Sequence, residues 1–198
     1  MSTRSHRHVI IEGPDGAGKS TLVKWLTPIL DVPVARRISD SLKGVKGKNL
    51  ARYVDADMSQ WANYASSDPV INRSAFADMS ANTPSRLYDR YPLISEPIYG
   101  LHVRKAPQAE FMTNWYRDAW ARFLAHDPLI IWCLPPYEEV AKHVHPSRDM
   151  DGVWRNISQL YQAYRLEAMK FPGRSFVYDY TIHKPGQVLD LCSDHFEI

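Results

Sequence analysis

At 198 residues, 44% of them hydrophobic, the chain is long enough to bury one substantial core, and a single domain over residues 1–198 is expected. Lysine and arginine number 24 against 22 aspartates and glutamates, so the net charge of +2 does not by itself announce a nucleic-acid partner. The two cysteines, Cys133 and Cys192, lie too far apart for a C-x-x-C metal pattern or a disulfide framework, and the longest apolar run, Leu129 to Leu134, is too short to span a bilayer. A reduced, cytoplasmic protein without membrane contact fits these features.

Residues 1–7 read as a short, flexible basic arm. The run from His8 to Glu12 reads as a strand. It delivers the chain into Gly13-Pro14-Asp15-Gly16-Ala17-Gly18-Lys19-Ser20, the pattern G-x-x-x-x-G-K-[ST], and Ser20 to Leu30 then has apolar residues at helical spacing. Strand, glycine-rich turn and helix together make a phosphate cradle: backbone N–H groups point inward and the helix adds the positive end of its dipole. Gly13, Asp15, Gly16, Ala17, Gly18, Lys19, Ser20 and Thr21 are therefore expected to bind the nucleotide, with Lys19 on the outer phosphates and Ser20 on magnesium.

Pro33 marks the helix exit, and a second strand is expected around Val34 to Ile38. Arg36, Arg37, Lys43, Lys46, Lys48 and Arg52 place six positive charges in seventeen residues against Asp40 alone. This 36–52 stretch reads equally as a solvated loop or as an anion-facing flap beside the site. Met58, Trp61, Ala62 and Ala65 follow at helical spacing, and Trp61 or Tyr64 could stack on a base.

A short apolar strand from Arg86 ends in Asp89-Arg90-Tyr91, and Pro92 keeps it from continuing in the sheet. At a strand end beside a phosphate loop, Asp89 can hold magnesium or accept a proton, and Arg90 can neutralise a phosphoryl group in flight. Gln108 to His126 reads as a core helix and Leu129 to Leu134 as a strand buried on both faces. Pro136 opens another helix. Residues 145–152, polar and ended by Gly152, sit where a lid would close over donor phosphates, with Arg148 and Arg155 as its charge stabilisers. His143 and His145 lack a third ligand nearby and read as surface histidines. A last strand, Arg174 to Tyr180, and a helix from Pro185 to Phe196 close the chain. Strands alternate with helices throughout, which predicts a three-layer α/β fold of the P-loop NTPase kind, with a mostly parallel five-stranded sheet flanked by helices.

Through the Gly13–Ser20 loop and Asp89-Arg90-Tyr91, the chain resembles the thymidylate kinase family and its deoxynucleoside kinase relatives, particularly phage members with a D-R-x-P-L-I-S-E-P stretch. The resemblance implies magnesium-assisted transfer of the ATP γ-phosphoryl group. It implies Asp15 near the acceptor sugar, Asp89 and Arg90 serving metal and phosphoryl group, and Arg148 or Arg155 at the donor. The catalytic set so implied is Lys19, Asp89, Arg90, Arg148 and Asp15, with Ser20 and Asp89 on the metal. Acceptor contacts are expected from Asp15, Arg36, Arg37, Trp61, Tyr91 and Tyr99.

The acceptor side departs from the family pattern: Arg36-Arg37-Ile38-Ser39-Asp40 stands where thymidylate kinases carry R-E-P-G-G, and Tyr99 is followed by Gly100. Three functions stay open on the residues. One is a kinase for a thymidine-type pyrimidine deoxynucleotide. Another is a phage DNA-modifying kinase acting on a 5-hydroxymethyl pyrimidine, 5-hydroxymethyluracil, in DNA held through residues 36–52. The third is a non-catalytic nucleotide switch. A homodimer is also left open.

Overall fold

The computed structural model describes residues 7–35, 85–104, 120, 121, 123–146, 149 and 152–198. The expectations for residues 36–52, for the helix carrying Trp61 and Tyr64, and for Arg36, Arg37 and Arg148 lie outside these residues.

Strand β1 (His8–Glu12) and strand β3 (Leu129–Cys133) are buried along their whole length. The apolar runs, Leu129–Cys133 in β3 and Val9 to Ile11 in β1, are those of parallel strands covered on both faces. Strand β2 (Arg86–Asp89) pairs with β1 on one side, and strand β4 (Ser175–Tyr178) pairs with β3 on the other, giving the all-parallel order β2-β1-β3-β4. The described residues thus form four strands, not the five expected. Outside β2, Val34 makes only an isolated parallel bridge to Leu87, with Ala35 N donating to Leu87 O at 2.8 Å. Of the second strand expected around Val34 to Ile38, the described residues show this bridge alone, and residues 36–38 lie outside them.

Register decides what the sheet presents at its C-terminal rim. Ile11 faces Asp89 and Glu12 faces Trp132, so the phosphate-loop entry and the Asp89 turn emerge side by side. β1 has neighbours on both sides, and the chain leaving it can serve a crevice at that rim.

Helix α1 (Lys19–Leu30) buries Leu22, Val23, Leu26 and Leu30, while Trp25 and Ile29 stay 39% and 49% exposed. Helix α2 (Pro92–Tyr99) starts on a proline at its first turn, where no N–H partner is needed, and runs into a π-helical turn at Gly100–Arg104. Helix α3 (Tyr137–Lys142) opens after Pro136. Helix α4 (Val153–Lys170) buries Val153, Ile157, Leu160, Tyr161 and Tyr164, and helix α5 is Pro185–Phe196. Only the last part of the helix expected over Gln108–His126 is described; there Phe123 is buried and stacks on Trp120 at 5.0 Å.

Tyr91 corrects an expectation. It is 2% exposed, stacked on Phe123 at 4.8 Å and edge-on to Tyr88, so it is a core residue instead of an acceptor contact. Its place next to Asp89 and Arg90 suggested the cleft; the turn at Arg90 instead points it inward. Both cysteines are buried and unpaired by disulfide, and burial pushes each thiol up to about 12. Among the described residues no helix is long and apolar enough to cross a membrane.

Candidate active site

The phosphate loop takes a shape that its glycines permit. Gly13 sits at φ +142° with its Cα against the Cys133 carbonyl, where an added Cβ would come within 2.4 Å of that oxygen. Gly16, at φ +80°, leaves only 2.6 Å between such a Cβ and Val140 O. No ordinary side chain fits either position. α1 begins at Gly18 with no side-chain cap and no acidic residue in its first turn, which leaves its N–H groups and the positive end of its dipole available to an anion.

A cleft of about 760 Å³ opens over this loop, lined by Gly16, Gly18, Lys19, Ser20 and Thr21 and reached by Asp15 and Arg90. This is the size of a site for a small ligand. Gly13 and Ala17 lie behind it: Gly13 against Cys133, and Ala17 at 1% exposure. Lys19 is 6% exposed and its Nζ donates to Pro14 O at 2.5 Å. Burial and the nearby Arg90 charge bring its ammonium down to about 8. Ser20 Oγ donates to Asp89 Oδ2 at 3.1 Å, which joins the two predicted metal ligands across the loop and β2. Hydroxyl and carboxylate oxygens are the hard donors that magnesium accepts, so the pair fits the expected ion.

Arg90 is the hub. It adopts φ +73°, a left-handed turn, while its N–H donates to Ile11 O at 3.0 Å. That turn sends the side chain back over the loop. Nη1 donates to Gly13 O at 3.0 Å and to the Tyr164 hydroxyl at 2.7 Å. Nη2 donates to Asp15 Oδ1 and to the Tyr99 hydroxyl, each at 2.8 Å. The Tyr99 hydroxyl in turn donates to Asp15 Oδ2 at 2.6 Å, and the guanidinium lies over the Tyr99 ring at 4.8 Å. Burial alone would raise the Asp15 carboxyl, but Arg90, Lys19 and the Tyr99 hydrogen bond outweigh it and hold it below its ordinary value. Burial pushes both tyrosine hydroxyls up, so they remain neutral donors.

Two residues here, Glu12 and Tyr164, were not singled out by the sequence, and a third, His143, was read differently. Glu12, at 0% exposure, accepts from Tyr91 N at 2.5 Å and Gly13 N at 3.3 Å, and so ties the loop entry to the Arg90 turn. Its position as the last residue of a buried strand, just before the loop, was the available signal. Tyr164 shares the helical spacing of the buried α4 residues Val153, Ile157 and Leu160, which by itself marks only a core position. His143, read as a surface histidine, lines the cleft together with Asp149. Tyr99 joins the hub but is 6% exposed, with its ring beneath Arg90 and not open to a base. Arg155 lies over the Trp154 ring at 5.1 Å on the exposed face of α4 and is not brought to the loop.

No family model matches the sequence, and no curated protein matches it significantly. Solved structures match its fold. The YorR protein of Bacillus subtilis, in complex with phosphorylated GDP, has a TM-score of 0.58 at 16% identity, over 96% of this chain and 95% of its own. Deoxyadenosine kinase from M. mycoides with bound dATP gives 0.55 at 15% identity, over 96% of this chain and all of its own. The same enzyme with bound dCTP gives 0.56, also at 15% identity and covering 96% of this chain. At these identities the likeness is one of fold: this is the α/β architecture of P-loop kinases, a parallel sheet flanked by helices.

Proposed function

We propose that the chain is an ATP-dependent P-loop kinase that transfers the γ-phosphoryl group to a thymidine-type pyrimidine deoxynucleotide. The observation that carries this reading is the convergence of Lys19, Asp15 and Arg90 on one cleft, with Ser20 bonded to Asp89 beside them. A phosphate-binding module alone needs the loop and the helix terminus. It has no use for a buried arginine aimed across the loop at an aspartate.

In this reading the loop N–H groups and Lys19 hold the donor phosphates, with Lys19 exchanging Pro14 O for a phosphate oxygen. Ser20 and Asp89 would hold magnesium, which when bound neutralises charge on those phosphates. Arg90 places a permanent positive charge where negative charge moves during transfer. Asp15, kept ionised, accepts a hydrogen bond from the acceptor sugar.

A nucleotide acceptor offers a phosphate oxygen that is already anionic and needs no base, whereas a hydroxymethyl group must lose a proton. Similarity to folds that bind dATP and dCTP supports a small deoxynucleotide site as well. The basic 36–52 run supports the second reading, phosphorylation of 5-hydroxymethyluracil within DNA.

Labelled ATP offered with thymidylate, 5-hydroxymethyl-deoxyuridylate, or duplex DNA containing either base separates the readings. Label on thymidylate is the expected outcome. Label on DNA alone would move the acceptor into the polymer, and ATP hydrolysis without any labelled acceptor would remove the kinase assignment.

A further inference from the structure

The hub around Arg90 includes two tyrosine hydroxyls from outside the phosphate loop, Tyr99 at the end of α2 and Tyr164 on α4. We infer that Tyr164 is a positioning residue, whose hydroxyl on α4 fixes the guanidinium of Arg90 in the plane that faces the loop. The inference deepens the kinase reading at the same site and rests on it for its kinetic part.

Four acceptors surround the guanidinium, and they divide by origin. Gly13 O and Asp15 Oδ1 come from the loop, and the Tyr99 hydroxyl from the end of α2. Of these three, Asp15 lines the cleft, so a bound substrate can compete for it. The Tyr164 hydroxyl comes from the middle of a long helix, at 0% exposure and 2.7 Å from Nη1. Its ring packs edge-on against Tyr99 at 6.4 Å and carries the guanidinium at 6.0 Å from its centroid.

Burial holds this hydroxyl neutral, so it stays an oriented dipole instead of adding a second charge to the hub. A neutral acceptor orients Arg90 without cancelling the charge that a phosphoryl group would meet. When Asp15 turns to an acceptor, Tyr164 keeps its hold. The helix supplies rigidity, because α4 is anchored in the core by Val153, Ile157, Leu160 and Tyr161.

Tyr164→Phe removes the hydroxyl and keeps the ring. In the ligand-free protein labelled on arginine nitrogen, the Arg90 resonance, identified by its loss in Arg90→Lys, should show hindered guanidinium rotation. Tyr164→Phe should speed rotation at Nη1, which is then left with Gly13 O alone, while the melting temperature changes by a few degrees at most. An unchanged rotation rate would overturn the inference, with or without a loss of stability. In the transfer assay with thymidylate, kcat should fall about tenfold with KM for ATP nearly constant, and the effect should vanish in an Arg90→Lys background. An unchanged kcat, or an equal fall in that background, contradicts it. Should the wild type label no acceptor, the kinase reading fails, and the rotation measurement still decides whether Tyr164 orients Arg90.

Discussion

Arg90 and Asp15 stand 75 positions apart, yet their ion pair at 2.8 Å is the central contact of the site. The motif spacing pointed to each residue separately; the pair arises because β1 and β2 are parallel neighbours in a register that puts Ile11 beside Asp89. Glu12 was marked only by its place, the last residue of a buried strand before the loop. Burial, opposed by Arg90 and the Tyr91 N–H, pushes its carboxyl from an ordinary 4.5 up to about 7. A group whose folded pKa is raised stabilises the protein fully below its unfolded value and loses that contribution as pH rises through the folded one. Stability should therefore decline between pH 4.5 and 7, by no more than about 3 kcal/mol from this group. Urea midpoints across that range should show a steeper decline for the wild type than for Glu12→Gln. Equal slopes would assign the pH dependence to other groups.

Elements were legible where a periodic pattern met a clear stop. The closing helix, Pro185–Phe196, matches its expected bounds, since proline opens it and the apolar spacing runs to its end. The last strand is shorter than expected, Ser175–Tyr178, and its alternating exposure marks it as the sheet edge. Tyr91 misled because an aromatic after an Asp-Arg pair looks like a ligand contact, while a left-handed turn at Arg90 reverses its direction. The loop is the element whose geometry leaves least latitude. Gly16→Ala must place a Cβ 2.6 Å from Val140 O at a positive φ, so either the loop or α3 must shift. The variant should lose about 1–3 kcal/mol of stability and most of the thermal shift that ATP gives the wild type. A wild-type thermal shift would show that the loop tolerates a side chain there.

At the scale of the molecule, the phosphate loop, the Asp89 turn and α4 meet at one rim of a parallel sheet. A chain with 15–16% identity to the YorR protein and deoxyadenosine kinase shares their fold because the sheet order and the loop are set by buried apolar runs and a few glycines. The phosphate-loop side of the cleft was legible for the same reason. Residues 36–52 were not, because they carry charge without a periodic pattern. Everything proposed for the cleft depends on Lys19 and Asp89 carrying phosphoryl transfer in the space they share with Asp15 and Arg90. The decisive experiment is the transfer of labelled γ-phosphoryl from ATP by the wild type, Lys19→Ala and Asp89→Ala, each shown to be folded by thermal melting. The wild type should label its acceptor, with both variants reduced about a thousandfold or more. Full transfer by either folded variant would contradict the kinase mechanism proposed for this cleft.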